Sequence, residues 1–257
     1  MKTDSMVHMP EPIFAGRTAL VTGGARGIGR AIAVTLARHG CRVAINYQRN
    51  RAAAAEALRL VEEAGGRGLV VEADVSREAD VERMATETRR GLGPIDFLVN
   101  SAGIANSVPH DRLTFDDWKR TFEVNLDGTF LATWAVKDEM IARRFGRIVN
   151  ISSLAGLVKK PQMIHYATSK AAVIALTRSC AEAFAPYNVR VNCVAPGLIE
   201  TDITRAADPK LVEQLIAATP LGRIGQADEI AATVRFLLSE ESSFITGQTI
   251  AACGGRV

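Results

Sequence analysis

Apolar residues in this 257-residue chain come in short unbroken runs, separated by longer stretches whose apolar positions recur at helical spacing. Unbroken runs with no polar alternation fit strands that are buried on both faces. The pattern predicts strands at Arg17 to Val21, Cys41 to Asn46, Gly68 to Glu72, Ile95 to Val99, Gly146 to Ser152, Asn188 to Ala195 and Gly247 to Ala251. Between them it predicts helices at Arg30 to His39, Arg51 to Ala64, from a Ser76 cap to about Gly91, at Met163 to Phe184, Pro209 to Ala218 and Ala227 to Leu238. A further helical region opens at Thr114 and runs, with a possible break, through Asn125 to Arg143. Strands alternating with helices at short intervals require parallel pairing through right-handed crossovers. The expected architecture is therefore one α/β domain over residues 13–257, a doubly wound, mainly parallel, seven-stranded sheet with helices on both faces. Residues 1–12 read as a flexible tail.

In such a sheet, ligands bind beyond the carboxyl ends of the strands. The unusual residues of this chain fall at those ends. The first strand runs into Thr22-Gly-Gly-Ala-Arg-Gly-Ile-Gly29, the third ends at Ala73-Asp74-Val75, the fourth at Asn100-Ser-Ala-Gly103, the fifth at Ser153 and the sixth at Pro196-Gly197. Glycines permit close backbone approach, and free amides at a helix start attract phosphate. The spacing of Gly23, Gly27 and Gly29 differs from G-x-G-x-x-G, so both a dinucleotide loop and a tight structural turn stay open. Tyr166 and Lys170 stand four apart, on one face of the predicted helix. A nearby ammonium favours the phenolate and would bring a phenol of ordinary pKa ~10 towards its working range. His165, one residue earlier, points about 100° away and reads as a pocket-wall or surface residue.

Composition narrows the partners. Thirty-one basic and 28 acidic residues are interspersed, giving +3 overall with no basic stripe for nucleic acid or an anionic membrane. The four cysteines, Cys41, Cys180, Cys193 and Cys253, lack zinc-site spacing and read as buried thiols in a reducing cytosol. No run approaches the ~18 apolar residues of a membrane helix, so a cytoplasmic protein with no metal is expected. A Ser-Lys hydrolase is disfavoured, since no G-x-S-x-G elbow is present and the glycine loop would have no use.

From Gly16 to Gly255 the chain resembles the short-chain dehydrogenase/reductase family. The resemblance rests on Thr22-Gly-x-x-x-Gly-x-Gly29, Asn100-x-Ala-Gly103, Asn125 in Val-Asn-Leu-x-Gly, Ser153 thirteen residues before Tyr166, Tyr166-x-x-x-Lys170, and Pro196-Gly197 followed by Thr201. Ser101 departs from the second Asn usual there. The resemblance implies a Rossmann-type fold and an NAD(P)-dependent oxidoreductase acting on CH–OH or C=O groups. In it Tyr166 is the proton donor, Ser153 binds the carbonyl oxygen, Lys170 lowers the Tyr166 pKa and binds the nicotinamide ribose, and Asn125 holds a water leading from Lys170 to solvent. It implies a cofactor site built from Thr22, Gly23, Arg26, Gly27, Ile28, Gly29, Tyr47, Arg49, Asp74, Val75, Asn100, Ala102, Gly103, Tyr166, Lys170, Pro196, Gly197, Ile199 and Thr201.

An acidic residue at the end of the second strand would mark NAD. Here Asn46, Tyr47, Gln48 and Arg49 stand there, and together with Arg26 they favour NADP, with NAD as the alternative. Within the family the chain looks most like 3-oxoacyl-[acyl-carrier-protein] reductases, implying a thioester substrate, a carrier-protein partner and a homotetramer with the Asn125 and Tyr166 helices in one interface. Arg143 and Arg144 fit one carrier-docking position at the site mouth, whereas Tyr187 replaces a second Arg. Lys159 and Lys160 either meet a substrate anion or are solvated. The rival readings are an alcohol, polyol or sugar dehydrogenase of the same fold, and a non-catalytic cofactor-binding scaffold. Thr201 to Arg223 reads as a lid or as a surface excursion.

Overall fold

The computed structural model describes residues 11–205 and 208–256. Most of the expected N-terminal tail, residues 1–10, lies outside them, and the Ala15 amide already donates to the Pro12 carbonyl (2.9 Å). The strands are β1 (Thr18–Thr22), β2 (Arg42–Tyr47), β3 (Gly68–Glu72), β4 (Phe97–Asn100), β5 (Gly146–Ile151), β6 (Val189–Pro196) and β7 (Thr249–Ala252). They pair in the order β3-β2-β1-β4-β5-β6-β7, every pair parallel. The strand order reverses between β1 and β4, which places the switch point beside the glycine loop.

The helices are α1 (Gly27–Arg38), α2 (Arg51–Glu63), α3 (Glu78–Leu92), α4 (Phe115–Phe122), α5 (Gly128–Ala142), α6 (Ile164–Phe184), α7 (Asp202–Arg205), α8 (Pro209–Ala217) and α9 (Ala227–Leu238). In α1 the buried Ile32, Ala33, Leu36 and Ala37 form one stripe. In α9, Ile230, Ala231, Val234, Leu237 and Leu238 do the same. Both stripes meet the Val21, Ile45, Val99, Val149 and Val194 face of the sheet. The other face, with Leu20, Ala44, Val71, Leu98, Ile148 and Val191, packs on Met84, Val136, Met140 and Phe184. Alternate strand residues thus feed two cores, which is why the strand sequences show no polar alternation.

The break expected near Asn125 is a π turn, Glu123–Asp127, between α4 and α5. Such turns re-aim side chains within an otherwise continuous helix. Thr114 caps α4 in a reciprocal capping box with Asp117. Ser76 is not the cap expected of it. α3 starts at Glu78 behind Arg77, and the Ser76 hydroxyl instead donates to Asp74 (2.6 Å), whose carboxylate is a stronger acceptor. Between Thr201 and Arg223 the structure adds the short α7, while α8 has no fully buried residue. No helix among the described residues is long and apolar enough to cross a membrane.

Candidate active site

The carboxyl ends of the strands open onto a cavity of about 640 Å3. At one end lies the glycine loop. α1 begins there with no side-chain cap from Arg26 and no acidic residue in its first turn, so its first amides are left for a ligand or solvent. A Cβ on Gly29 would lie 2.3 Å from the Gly23 carbonyl oxygen, and one on Gly23, at φ +62°, would lie 2.8 Å from the Ala102 Cα. Only glycine closes this loop. Arg26 and Arg49 stand exposed on the cavity wall, so free amides and two guanidiniums converge on one end of an elongated cleft. That donor set fits the phosphates of a dinucleotide.

Asn46 organises this end and was missed as a site residue. It is buried, accepts from the Gly23 amide (3.1 Å) and donates to the Ala73 carbonyl (3.0 Å). One amide therefore ties the glycine loop to the loop after β3. The only signal was a polar residue following the apolar Val43 to Ile45. Asp74 borders the cavity and accepts from Ser76 (2.6 Å) and Gln48 (2.6 Å), with Arg120 at 3.6 Å. Burial pushes its carboxyl up, but these donors outweigh it and hold the pKa below the usual value. Tyr47 lines the cavity and donates its hydroxyl to Glu72 (3.1 Å).

Two expected cofactor residues stand behind the cavity wall rather than on it. The Thr22 hydroxyl accepts from the Ser101 and Ala102 amides (3.0 and 3.1 Å), pinning the loop after β4 to the end of β1. Asn100 turns inward, donating to Asn150 (2.9 Å) and Thr133 (3.2 Å). Both side chains are buried, so their contribution is to shape the wall. The other expected cofactor residues, Gly23, Arg26, Gly27, Ile28, Gly29, Tyr47, Arg49, Asp74, Val75, Ala102, Gly103, Tyr166, Lys170, Pro196, Gly197, Ile199 and Thr201, all border the cavity.

At the far end are Ser153, Tyr166 and Lys170. Ser153 caps a short turn, Leu154–Gly156, accepting from the Ala155 amide (3.1 Å). Its neighbour Ser152 is buried and donates to the Lys170 carbonyl (2.7 Å), which leaves Ser153 as the hydroxyl facing Tyr166. The expected fall in the Tyr166 pKa is reversed here. Burial raises it, with the Ser153 hydroxyl opposing, because the Lys170 ammonium lies 5.9 Å from the ring centroid and donates to the Ile151 carbonyl (2.9 Å). Helical spacing shows that two groups share a face, not how far the site excludes water. Lys170 is buried, and that pulls its pKa down to about 8 against a small opposing effect from Cys193.

Asn125 is fully buried behind Gly103. It accepts from the Ile104 amide (2.9 Å) and donates to the Ile104 carbonyl (3.1 Å) and the Ser169 hydroxyl (3.0 Å). His165 is neither on the cavity wall nor on the surface. It is buried, near Asp117 of α4, with an unpartnered Nδ1.

Arg143 and Arg144 are not at the mouth of this chain's cavity. They lie just before β5, at the amino edge of the sheet, where Arg143 donates to Asp96 (2.8 Å) and the Ile95 carbonyl (2.6 Å), and Arg144 to the Pro186 carbonyl (2.9 Å). The reason is topological, since residues leading into a parallel strand sit opposite its carboxyl end. Lys159 is exposed and Lys160 half-buried in the loop after Ser153. Burial and the nearby Arg256 lower the Lys160 pKa.

A family model described as enoyl-(acyl carrier protein) reductase matches residues 23–256. A 3-oxoacyl-[acyl-carrier-protein] reductase of Synechocystis is 39% identical over 245 residues, covering 95% of this chain and 98% of the relative. The crystal structure of a 3-oxoacyl-[acyl-carrier protein] reductase from Brucella melitensis superposes with a TM-score of 0.90 at 38% identity, covering 96% of this chain and 93% of that one. An NAD+-bound xylitol dehydrogenase structure superposes with a TM-score of 0.89 at 37% identity, covering 94% and 99%.

Proposed function

The chain belongs to the short-chain dehydrogenase/reductase family of nicotinamide-dependent oxidoreductases, and from that premise we propose that it reduces the carbonyl of a 3-oxoacyl thioester with NADPH. The observation that carries this reading is the convergence of Ser153, Tyr166 and Lys170 at one end of a cleft whose other end presents the glycine loop, Arg26 and Arg49. A nicotinamide held in this cleft would supply the hydride for the carbonyl carbon. The chain's own residues handle the oxygen. Ser153 donates a hydrogen bond to it as negative charge builds, and Tyr166 delivers the proton. Lys170 holds its buried ammonium 5.9 Å from the phenol ring, and the Ser153 hydroxyl opposes the rise that burial imposes on the Tyr166 pKa. In the oxidation direction Tyr166 takes the alcohol proton back.

NADP is preferred over NAD because no carboxylate at the end of β2 repels a 2′-phosphate, while Arg26 and Arg49 flank the cleft. The thioester follows from the likeness to the Synechocystis and Brucella reductases. With Arg143 and Arg144 committed at the far edge, Lys159 and Lys160 are this chain's own cations for a carrier protein or a coenzyme phosphate. A homotetramer accords with the α5 and α6 face, where Phe130 and Trp134 stack at 4.0 Å and remain 38% and 41% exposed.

The likeness to the xylitol dehydrogenase favours a second reading, oxidation of a polyol. Cofactor consumption separates the two. Purified protein should oxidise NADPH with acetoacetyl-CoA and a 3-oxoacyl carrier-protein thioester, and show little NAD+ reduction with polyols. Lys159→Ala with Lys160→Ala should raise the thioester KM several-fold. Activity on polyols alone transfers the function to the second reading.

A further inference from the structure

We infer that Ser169 is a positioning residue that fixes which way the Asn125 amide points, and so keeps an oxygen rather than an N–H directed towards Lys170. The inference rests on the Tyr166–Lys170 reading above. Ser169 lies in α6 between the two reactive residues and is completely buried. Its hydroxyl has one proton, which it donates to the Tyr166 carbonyl in the preceding turn (2.7 Å). Towards Asn125 it can therefore only accept, and it takes a hydrogen from Nδ2 (3.0 Å).

That leaves the amide no freedom. Nδ2 spends its two hydrogens on Ser169 and the Ile104 carbonyl, and Oδ1 accepts the Ile104 amide (2.9 Å). One lone pair of Oδ1 is left, and Oδ1 is the amide atom that faces Gly103. A Cβ added to Gly103 would meet Oδ1 at 3.2 Å and the Lys170 Nζ at 3.4 Å, so Gly103 occupies the ground between them and is kept bare. A flipped amide would turn an N–H towards the ammonium and face the Ile104 amide with a second donor. Ser169 adds to the two Ile104 bonds by supplying an acceptor where Nδ2 now stands, which disfavours that state further. The π turn supplies the other half of the arrangement by rotating Asn125 inward between α4 and α5.

The titratable groups around Lys170 are few. Tyr166 shares its helix, Cys193 approaches from β6 as a thiol kept neutral by burial, and no carboxylate among the described residues enters its electrostatic surroundings. The orientation of one neutral amide therefore weighs on its protonation.

The test is the pH profile of thioester reduction for wild type, Ser169→Ala and Ser169→Thr, with Ser169→Ala repeated in an Asn125→Ala background. Ser169→Ala is expected to lower kcat about threefold to tenfold with KM little changed, the signature of an interaction felt in the transition state. Its alkaline limb is expected to move to lower pH, because an amide held by the Ile104 backbone alone samples the flipped state more often, and that state disfavours the ammonium. Ser169→Thr, which keeps the hydroxyl, is expected to restore the profile, and Ser169→Ala should have no further effect once Asn125 is gone. A Ser169→Ala enzyme with the wild-type pH profile would overturn the inference. So would equal losses in the presence and absence of the Asn125 side chain. If Thr does not pack, the double-mutant comparison decides alone. Failure of the underlying reading looks different, because Tyr166→Phe would then keep its turnover whatever Ser169 does.

Discussion

The two edges of the sheet are built from the same strands and treat charge in opposite ways. At the amino edge, buried Asp96 accepts from the Thr18 amide (3.0 Å), Arg17 (3.2 Å) and Arg143 (2.8 Å). Arg147 pairs with Glu240 (3.0 Å), and the guanidiniums of Arg17 and Arg147 stack on Phe145 at 3.9 and 4.4 Å. Among the described residues buried Arg190 finds carbonyl and hydroxyl oxygens alone, including Ser242 (2.7 Å) and Ser239 (2.7 Å), and burial pulls its pKa down to about 10. At the carboxyl edge Lys170 has one acceptor among the described residues, the Ile151 carbonyl, and the glycine loop presents amides with no side-chain cap. One edge pairs its charges within the fold, although the Nε atoms of Arg143, Arg147 and Arg190 stay unpartnered there among the described residues. The other leaves donors unspent, and those are what a ligand and a reacting oxygen require.

This contrast predicts separable effects. The largest loss of stability should come from Asp96→Ala, which strands three donors. It should cost about 3–5 kcal/mol in denaturant unfolding and leave kcat/KM near wild type in protein that remains folded. Next is Lys170→Met. Folding holds the lysine pKa near 8 against 10.5 in the unfolded chain, so below pH 8 the native state carries the cost of a buried ammonium. The unfolded chain binds more protons between those values, so wild-type stability rises as pH climbs from 8 to 10.5. Lys170→Met should therefore be inactive yet more stable by about 3 kcal/mol at pH 7, with the advantage fading above pH 8, as thermal melts across pH will show. Arg26→Ala with Arg49→Ala should raise the NADPH KM about tenfold, or ~1.4 kcal/mol, and barely change that for NADH. Smallest is Asn46→Ala, which should weaken either cofactor a few-fold by freeing the Gly23 amide.

The strands could be read from the chain because burial on both faces removes polar alternation, and the structure moves most boundaries by only a residue or two. Tyr166, Lys170, Ser153 and the glycines were legible because their chemistry or steric need is unusual. Asn46 and Ser169 were not, since each is an ordinary polar residue whose meaning lies in a partner 23 to 44 positions away. The inward turn of Thr22 and Asn100 was hidden for the same reason. Arg143 was misplaced although topology alone assigns the residues before a parallel strand to its amino edge. The sign of the Tyr166 shift depends on how dry the site is, and spacing along a helix carries no information about that.

The most direct test of the account compares Tyr166→Phe with wild type in three readings on one preparation: turnover of NADPH with a 3-oxoacyl thioester, NADPH binding and Tm. Removing one hydroxyl at the carboxyl edge should lower kcat about a thousandfold, while NADPH still binds within a few-fold and Tm moves by no more than about a degree. Turnover retained within a few-fold of wild type would contradict the assignment of Tyr166 as the proton donor.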